Sequence, residues 1–364
     1  MVQVLQIDPI APGKLEDFPE FDSHKTVYRF ENSSVGLRGF IAIHNDNLGP
    51  ATGGTRMFPY VSEEEALRDV LRLSRAMTYK CALAGVHHGG GKAVIIGDPE
   101  NKSEQMLRAY AQAINEADGR FFTGEDVGIT EDDVQVMLEE SRFFIGRRGV
   151  AGDPSPYAAK SVFATMQVAA GELWGDEDLF NRSVAVKGAG KVGGELIRLL
   201  VNAGAKVIAA DVKPAAIEAV EKKYPQVRVV DSATIHKEKV DIFSPCALGN
   251  DFTKENVAEV RAAVICGGAN NQLASDDIGD WLFRRNILYV PDYVANAGGL
   301  INVVDELEKD GYNRRRVLER ISKLKNMLHT IFLFTRQKHQ PSNRVADQLA
   351  ESIFLNGKKT SSVV

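Results

Sequence analysis

The sequence predicts an α/β protein of two domains, the second built on a doubly wound parallel sheet. Three observations lead there. At about 150 residues per domain, 364 residues suggest two cores rather than one. Short apolar runs alternate with segments of helical period along most of the chain, the pattern of strands joined by crossover helices. One run, Ser183-Val-Ala-Val-Lys187, passes straight into Gly188-Ala189-Gly190-Lys191-Val192-Gly193 and then into a helix.

The first domain is expected over 1–150. Gly39-Phe-Ile-Ala-Ile-His44 is an apolar run between polar turns, hence a strand. Ser62-Glu-Glu-Glu65 reads as a capping box, and Leu67, Val70, Leu71, Ser74 and Met77 follow at helical spacing. That helix is expected to end near Met77, leaving Lys80 just beyond it. Ala93-Val-Ile-Ile96 reads as a buried strand, Ser103 opens a second helix, Arg120-Phe-Phe-Thr123 is strand-like, and Thr130 caps a third helix. Asp153-Pro-Ser-Pro156 interrupts the pattern and marks the boundary to a second domain over 151–334. There a helix over 158–173 precedes apolar runs at 183–187, 206–210, 227–230, 240–243, 263–266 and 287–290. The remainder is helical, and the stretch from about 335 to 364 could pack back on the first domain.

The glycine motif has the context that gives it meaning: a strand before it and a helix after it. The first glycine permits the tight turn, the second lets backbone approach a pyrophosphate, and the third lets helix and strand pack closely. The next strand ends in Asp211, 18 residues after Gly193. A carboxylate there accepts ribose hydroxyls and repels a 2′-phosphate, so a Rossmann-type domain binding NAD rather than NADP is expected; nearby Lys213 weakens that preference.

Composition narrows the class. Hydrophobic residues at 44% and charged residues at 26% exclude collagen-like, low-complexity and largely disordered chains. A net charge of −5 without a basic stripe gives no footprint for nucleic acid. No apolar run approaches the roughly 18 residues of a membrane span, and the N-terminus lacks a signal-peptide layout. Cys81, Cys246 and Cys266 form no CxxC, so neither a disulfide framework nor a metal site is expected. A cytoplasmic enzyme without membrane or nucleic-acid partners fits these features.

Chemistry concentrates in two segments of the first domain, GPATGGTRM (49–57) and the stretch 77–97. Lys80 and Lys92 lie twelve residues apart on either side of a glycine-rich stretch ending Gly89-Gly90-Gly91. Two ammonium groups sharing a cleft, or burial, would lower a lysine pKa toward the range of a general base. As isolated loop lysines they would merely be solvent charges. His87-His88 has no partner at ligand spacing and reads as structural. Glu125-Asp126 follows a strand, where α/β proteins place functional side chains, although a turn carboxylate is an equal reading.

The segments GPATGGTRM, MTYK, GGGKAVIIGDP, GEDVG, SPCALG, GGANNQL and PDYVANAGGLIN occur in this order. Together they resemble the leucine/phenylalanine/valine dehydrogenases, amino-acid dehydrogenases related to glutamate dehydrogenase. The resemblance implies an N-terminal substrate and oligomerisation domain and an NAD-binding domain, separated by a catalytic cleft. It implies reversible oxidative deamination of an apolar L-amino acid to the 2-oxo acid and ammonia. Lys80 would bind the substrate carboxylate, Lys92 would activate water, and Asp126 would handle the amino group. Gly53 and Asn271 would orient substrate and nicotinamide. Thr52, Met77, Gly124, Leu300 and Val303 would line the side-chain pocket, and Cys246 and Ala247 would join the glycine loop around the cofactor. A homo-oligomer, dimer or octamer, is also implied.

Two departures stand out. Ala158 takes the place of a usual threonine near the nicotinamide, and Asn250 that of a small residue. Gly124 would enlarge the pocket, Leu300 would fill it, and Thr52 adds a buried hydroxyl that needs a partner. One methylene is worth only about 1–3 kcal/mol of discrimination, so the pocket points to a large apolar side chain without naming it. Two other readings are an NAD-linked reductive aminase using amines other than ammonia and a non-catalytic, NAD-responsive binding protein.

Overall fold

The computed structural model describes residues 5–247 and 249–357, which form two compact units. The first comprises residues up to Asp153 together with Val303–Tyr312 and the stretch from Ala350; the second comprises Pro154–Asn302 and Asn313–Leu349.

In the first unit, strands β1 (Gln6–Pro9), β2 (Thr26–Asn32), β3 (Leu37–Asn45), β4 (Ala51–Thr52) and β5 (Thr55–Phe58) precede helix α1 (Glu63–Ala84). Strand β6 (Gly89–Ile96), helix α2 (Glu104–Asn115), β7 (Phe121–Phe122) and α3 (Glu131–Leu138) follow. The sheet order is β1-β2-β3-β6-β4-β7, with β5 also paired to β6. It is mixed: β1, β2, β3 and β6 run antiparallel, whereas β4 and β5 run parallel to β6. Alternation along β3 and β6 separates two cores. Phe40, Ala42, Val94 and Ile96 pack with Leu67, Val70 and Leu71 of α1. Ile41, Ile43 and Ile95 pack with Met106, Tyr110 and Ile114 of α2 on the other face. All eight residues of β6 are therefore buried.

The structure corrects three expectations here. Helix α1 runs past Met77 to Ala84 and stops at Gly85, whose φ of +65° is the left-handed terminus that glycine adopts most readily. Lys80 thus lies inside the helix. The Gly89-Gly90-Gly91 stretch is strand rather than loop, because α1 and neighbouring strands press onto its backbone: a Cβ at Gly90 would lie 2.0 Å from the Thr78 amide nitrogen. Ser62 caps α1 by accepting from the Glu65 amide, but the Glu65 side chain bonds the Val61 amide instead of closing the box on Ser62.

A polar network runs along the C-terminal half of α1. His24 Nε2 lies 3.0 Å from Ser74 Oγ, and His44 Nδ1 lies 2.8 Å from Thr78 Oγ1. The two rings meet edge to face at 4.8 Å, and Asp22 bonds Arg75 at 2.8 Å. Burial, helped by the charge of His44, pushes His24 from 6.5 down to about 4. The folded state therefore holds His24 neutral where the unfolded chain binds a proton. The sign follows: this contribution is full above pH 6.5 and is lost as the pH falls toward 4, at about 1.4 kcal/mol per pH unit. Asp22 is held low chiefly by its bond to His44, so its loss comes only at more acid pH. His24→Gln is expected to remove roughly one proton from unfolding-linked uptake near pH 5, read from the slope of Tm against pH. An unchanged slope rejects the assignment.

In the second unit, α4 (Ser155–Trp174) leads into β8 (Ser183–Lys187), α5 (Lys191–Asn202), β9 (Lys206–Ala210), α6 (Pro214–Lys223), β10 (Arg228–Val229) and β11 (Ile242–Pro245). Then come β12 (Val264–Ile265), α7 (Asp276–Arg284), β13 (Leu288–Tyr289), α8 (Asp292–Ala295), α9 (Gly298–Val304), α10 (Arg314–Lys338) and α11 (Ser342–Asn356). All six strands are parallel, in the order β10-β9-β8-β11-β12-β13. Counted within the unit this is 3-2-1-4-5-6, the doubly wound order of dinucleotide-binding domains.

The unit bounds differ from a single cut near 150 with helices returning from 335. Helix α10 belongs to the second unit, where Lys325 pairs with Glu177 at 2.8 Å. The start of α11 also stays there, held by Tyr293 Oη to Asp347 at 2.6 Å. Only its end joins the first unit: Tyr79 Oη donates to Glu351 at 2.8 Å, and Phe354 packs edge-on against Tyr79 and His44. Residues 358–364 of the expected helical tail lie outside the described residues.

Candidate active site

Period-two alternation puts Gly90 and Lys92 on the α1 face of the first sheet, and Thr52, in register with Gly90, on the same face. Lys92 is 4% exposed, far from a solvent loop charge, and its ammonium pairs with the Asp126 carboxylate. Arg56 Nε lies 3.5 Å from Asp126 Oδ1, while Arg56 Nη1 donates to Asp69 at 3.0 Å. The Val127 amide donates to Asp126 at 2.6 Å. Burial alone would raise the Asp126 carboxyl, but the charges of Lys92 and Arg56 outweigh it and hold the group well below the usual carboxylate range. Asp126 is therefore ionised near neutrality.

Helix α1 adds the next residues. Met77 and Lys80 are three apart and share a helix face. A Cβ at Gly53 would lie 3.1 Å from Met77 Cγ and 1.9 Å from the Gly91 carbonyl oxygen, so only glycine fits there. Lys80 is half-buried. The structure thus brings Thr52, Gly53 and Met77 beside β6, which carries Lys92 paired with Asp126, while Lys80 follows one turn after Met77 on α1. Thr52 is fully buried, and its hydroxyl has no hydrogen-bond partner among the described residues. A methyl at Gly124 would lie 2.7 Å from the Ile145 carbonyl oxygen, so this glycine also allows close backbone packing.

The second unit carries the nucleotide features. Gly188 has φ +99° and turns the chain off β8, and a Cβ at Gly193 would lie 1.8 Å from the Gly188 carbonyl oxygen. A Cβ at Gly190 meets nothing within 4 Å, leaving an open side at the N-terminus of α5 where backbone amides favour an anion. Cys246 and Ala247 abut Gly188, and Val192 and Cys246 flank Gly268. Asp211 closes β9; its carboxylate accepts from the Ala189 amide at 2.6 Å and the Lys213 amide at 2.8 Å. These residues fit a dinucleotide: an open glycine turn at the N-terminus of α5, and a carboxylate at the end of β9 that is hydrogen-bonded to that turn.

Asn271 sits at φ +49°, and its carbonyl accepts from the Asn250 amide at 2.7 Å. Asn250 itself has φ +61°, a conformation asparagine tolerates, which accounts for its standing where glycine would also do. Ala158 lies in the first turn of α4, near Gly299; Ser161, one turn on, bonds the Gly298 amide and the Ala158 carbonyl and so has no hydroxyl to spare. Leu300 and Val303 lie on α9, in the second and first units respectively.

Sequence reasoning missed three supporting residues. Arg56 is the lone charge in the short strand TRMF, a signal that was available. Asp69 and Gln272 gave none: Asp69 orients Arg56, and the fully buried Gln272 donates to the Gly267 and Ala269 carbonyls at 3.0 Å each, fixing the turn that presents Asn271.

Comparison with known proteins gives a consistent result. Residues 24–143 match the family model described as Glu/Leu/Phe/Val dehydrogenase, dimerisation domain, and residues 210–351 match Glutamate/Leucine/Phenylalanine/Valine dehydrogenase. A valine dehydrogenase of Streptomyces virginiae is 44% identical over 334 residues, spanning 90% of this chain and 93% of that protein. A phenylalanine dehydrogenase of Thermoactinomyces intermedius is 44% identical over 331 residues, spanning 90% of each. The crystal structure of L-tryptophan dehydrogenase from Nostoc punctiforme superposes with a TM-score of 0.81 at 37% identity, covering 96% of this chain and 99% of that one. With both halves matched and identity above 40% over nine-tenths of its length, the chain belongs to the Glu/Leu/Phe/Val dehydrogenase family and is an amino-acid dehydrogenase.

Proposed function

We propose that the protein catalyses NAD-dependent oxidative deamination of an apolar L-amino acid, yielding the 2-oxo acid, ammonium and NADH, and that it runs reversibly. The observation that carries this is the pairing of buried Lys92 with the partly buried Asp126, Lys92 lying on the same sheet face as Thr52 and Gly90. A buried ammonium and carboxylate in contact can share and relay protons, whereas a solvent pair would do so at no defined place.

Lys80 binds the substrate carboxylate, and the Gly53 backbone and Asn271 side chain fix the orientation of the Cα–H bond. Gly188, Gly190, Lys191, Val192 and Gly193, with Cys246 and Ala247, would hold the dinucleotide, and Asp211 would accept its ribose hydroxyls. When bound, NAD⁺ supplies the hydride acceptor. In its neutral form Lys92 takes a proton from water as the oxygen attacks the iminium carbon. The proton that Lys92 has taken passes through Asp126 to the nitrogen, and Lys92, neutral again, takes the hydroxyl proton as the C=O bond forms and the C–N bond breaks, releasing ammonia. Thr52, Met77, Leu300 and Val303 supply the apolar pocket, with Gly124 as part of its backbone wall. The valine, phenylalanine and tryptophan dehydrogenases among the relatives favour a large aliphatic or aromatic side chain and do not favour a reductive aminase or a non-catalytic binding protein. The reading includes a homo-oligomer, dimer or octamer, assembled through the first unit, and a cytoplasmic setting. Among the described residues no helix is long and apolar enough to cross a membrane.

The test is NADH formation at alkaline pH with L-Leu, L-Val, L-Ile, L-Phe, L-Trp and L-Glu, repeated with NADP⁺. Turnover confined to apolar substrates with NAD⁺ is expected. Preference for L-Glu overturns the substrate class, and equal use of NADP⁺ overturns the role of Asp211.

A further inference from the structure

One carboxylate outside the reacting groups is held in an unusual way. Glu306 Oε1 accepts from the backbone amides of Arg147 and Ala151 at 3.0 and 3.1 Å, and its Oε2 accepts from the Gly146 amide at 3.2 Å. Three amides converging on one carboxylate make an anion nest filled by the chain's own side chain, with charge-assisted bonds. The segment wrapped around it, GRRGVAG (146–152), bends at Gly146, Gly149 and Gly152 with φ of +91°, +77° and +63°.

What this segment joins gives the nest its meaning. Just before it, Phe143–Ile145 pairs with Thr123: the Thr123 amide donates to the Phe143 carbonyl at 3.0 Å, and the Ile145 amide to the Thr123 carbonyl at 2.8 Å. The Ile145 carbonyl then presses on Gly124. On the other side, Glu306 lies three residues after Val303, in the turn that directly continues α9. A single carboxylate therefore ties the backbone behind Gly124 to the helix end that bears Val303, all within the first unit.

We propose that Glu306 is a positioning residue that sets the width of the substrate side-chain pocket by clasping these two walls together. This rests on the pocket assignment given above for Gly124 and Val303. Glu306 touches no reacting group; it acts through Gly146 and Ile145 on one wall and through α9 on the other.

Glu306→Gln keeps the shape but removes the charge and turns an NH₂ toward amide donors; Glu306→Asp keeps the charge and withdraws it by one methylene. Two measurements apply to both, with the wild type alongside. In hydrogen exchange, amides of 143–151 are expected to exchange about tenfold faster in the Gln variant while 89–96 stay protected. In kinetics, the ratio of kcat/KM for L-Phe over L-Val is expected to shift by about tenfold through KM, with kcat on the better substrate nearly unchanged, and the Asp variant falling between. A merely structural role would lower Tm without moving that ratio, and this outcome overturns the proposal, as does unchanged exchange over 143–151. If the Gln variant fails to fold, the Asp variant carries the same two readouts. A wild type inactive on every apolar substrate would sink the functional reading itself, and is distinct from an active wild type whose ratio the variants leave untouched.

Discussion

Lys92→Ala is expected to lower kcat by at least about 10³-fold, the range lost when a positioned general base is removed, while binding of NADH changes little. The dinucleotide features lie in the second unit and Lys92 in the first, so cofactor fluorescence titration and turnover report on different parts of the chain. The same substitution strips Asp126 of the cation it pairs with and leaves Arg56 3.5 Å away. Removing one partner of a buried pair typically costs about 3–5 kcal/mol, so a clear fall in Tm should accompany the loss of turnover. Asp126→Asn in the Lys92→Ala background should restore part of that Tm without restoring activity. Near-normal turnover in Lys92→Ala would remove the proposed base.

The second large effect is expected from Gly193→Ala. A Cβ there would sit 1.8 Å from the Gly188 carbonyl oxygen, and both groups are backbone, so no side chain can rotate away. Relief requires α5 to lift off β8 and carries the amides at its N-terminus out of phosphate range. Affinity for NADH should fall by 100-fold or more, on the order of 3 kcal/mol. The first unit has no part in the clash, so its Lys92–Asp126 pair should persist. The contrast is Gly190→Ala: its Cβ meets nothing within 4 Å in the free protein, so folding should survive and the loss should appear only on titration with the dinucleotide. Normal NADH affinity in Gly193→Ala would show that the close packing is not what shapes the cradle.

The two halves were legible in the sequence to different degrees. In the second unit the strand–glycine–helix–strand–aspartate order is local, and each part signals the next; the parallel sheet followed from it. In the first unit, alternation and capping located α2, α3 and most of β3, but three features depended on contacts distant in sequence. The length of α1 is hidden because Tyr79–Ala84 carries no periodic polar break, and only Gly85 ends it. Gly89-Gly90-Gly91 reads as a loop until Thr78 is seen resting on Gly90. The Lys92–Asp126 pair spans 34 residues, so no spacing rule within one helix or strand could have joined them, and Asp126 looked equally like a turn residue. The family resemblance brought these residues together before the structure did; what it could not supply was Arg56, Asp69, Gln272 and Glu306, which act by supporting others.

Strand β6 is buried along all its length, between the layers of α1 and α2, and it carries Lys92 at its centre. A side chain rooted there has no private unfolding route: it cannot fray like a terminus or swing like a loop tip, and its backbone opens only when the whole sheet does. Heat inactivation should therefore coincide with the cooperative melting of the first unit, with no earlier stage in which the molecule is folded yet chemically silent. Under the proposed mechanism, variation in what the enzyme accepts is then confined to parts that can change without touching this strand, while the proposed base stays rooted in a strand buried along its length.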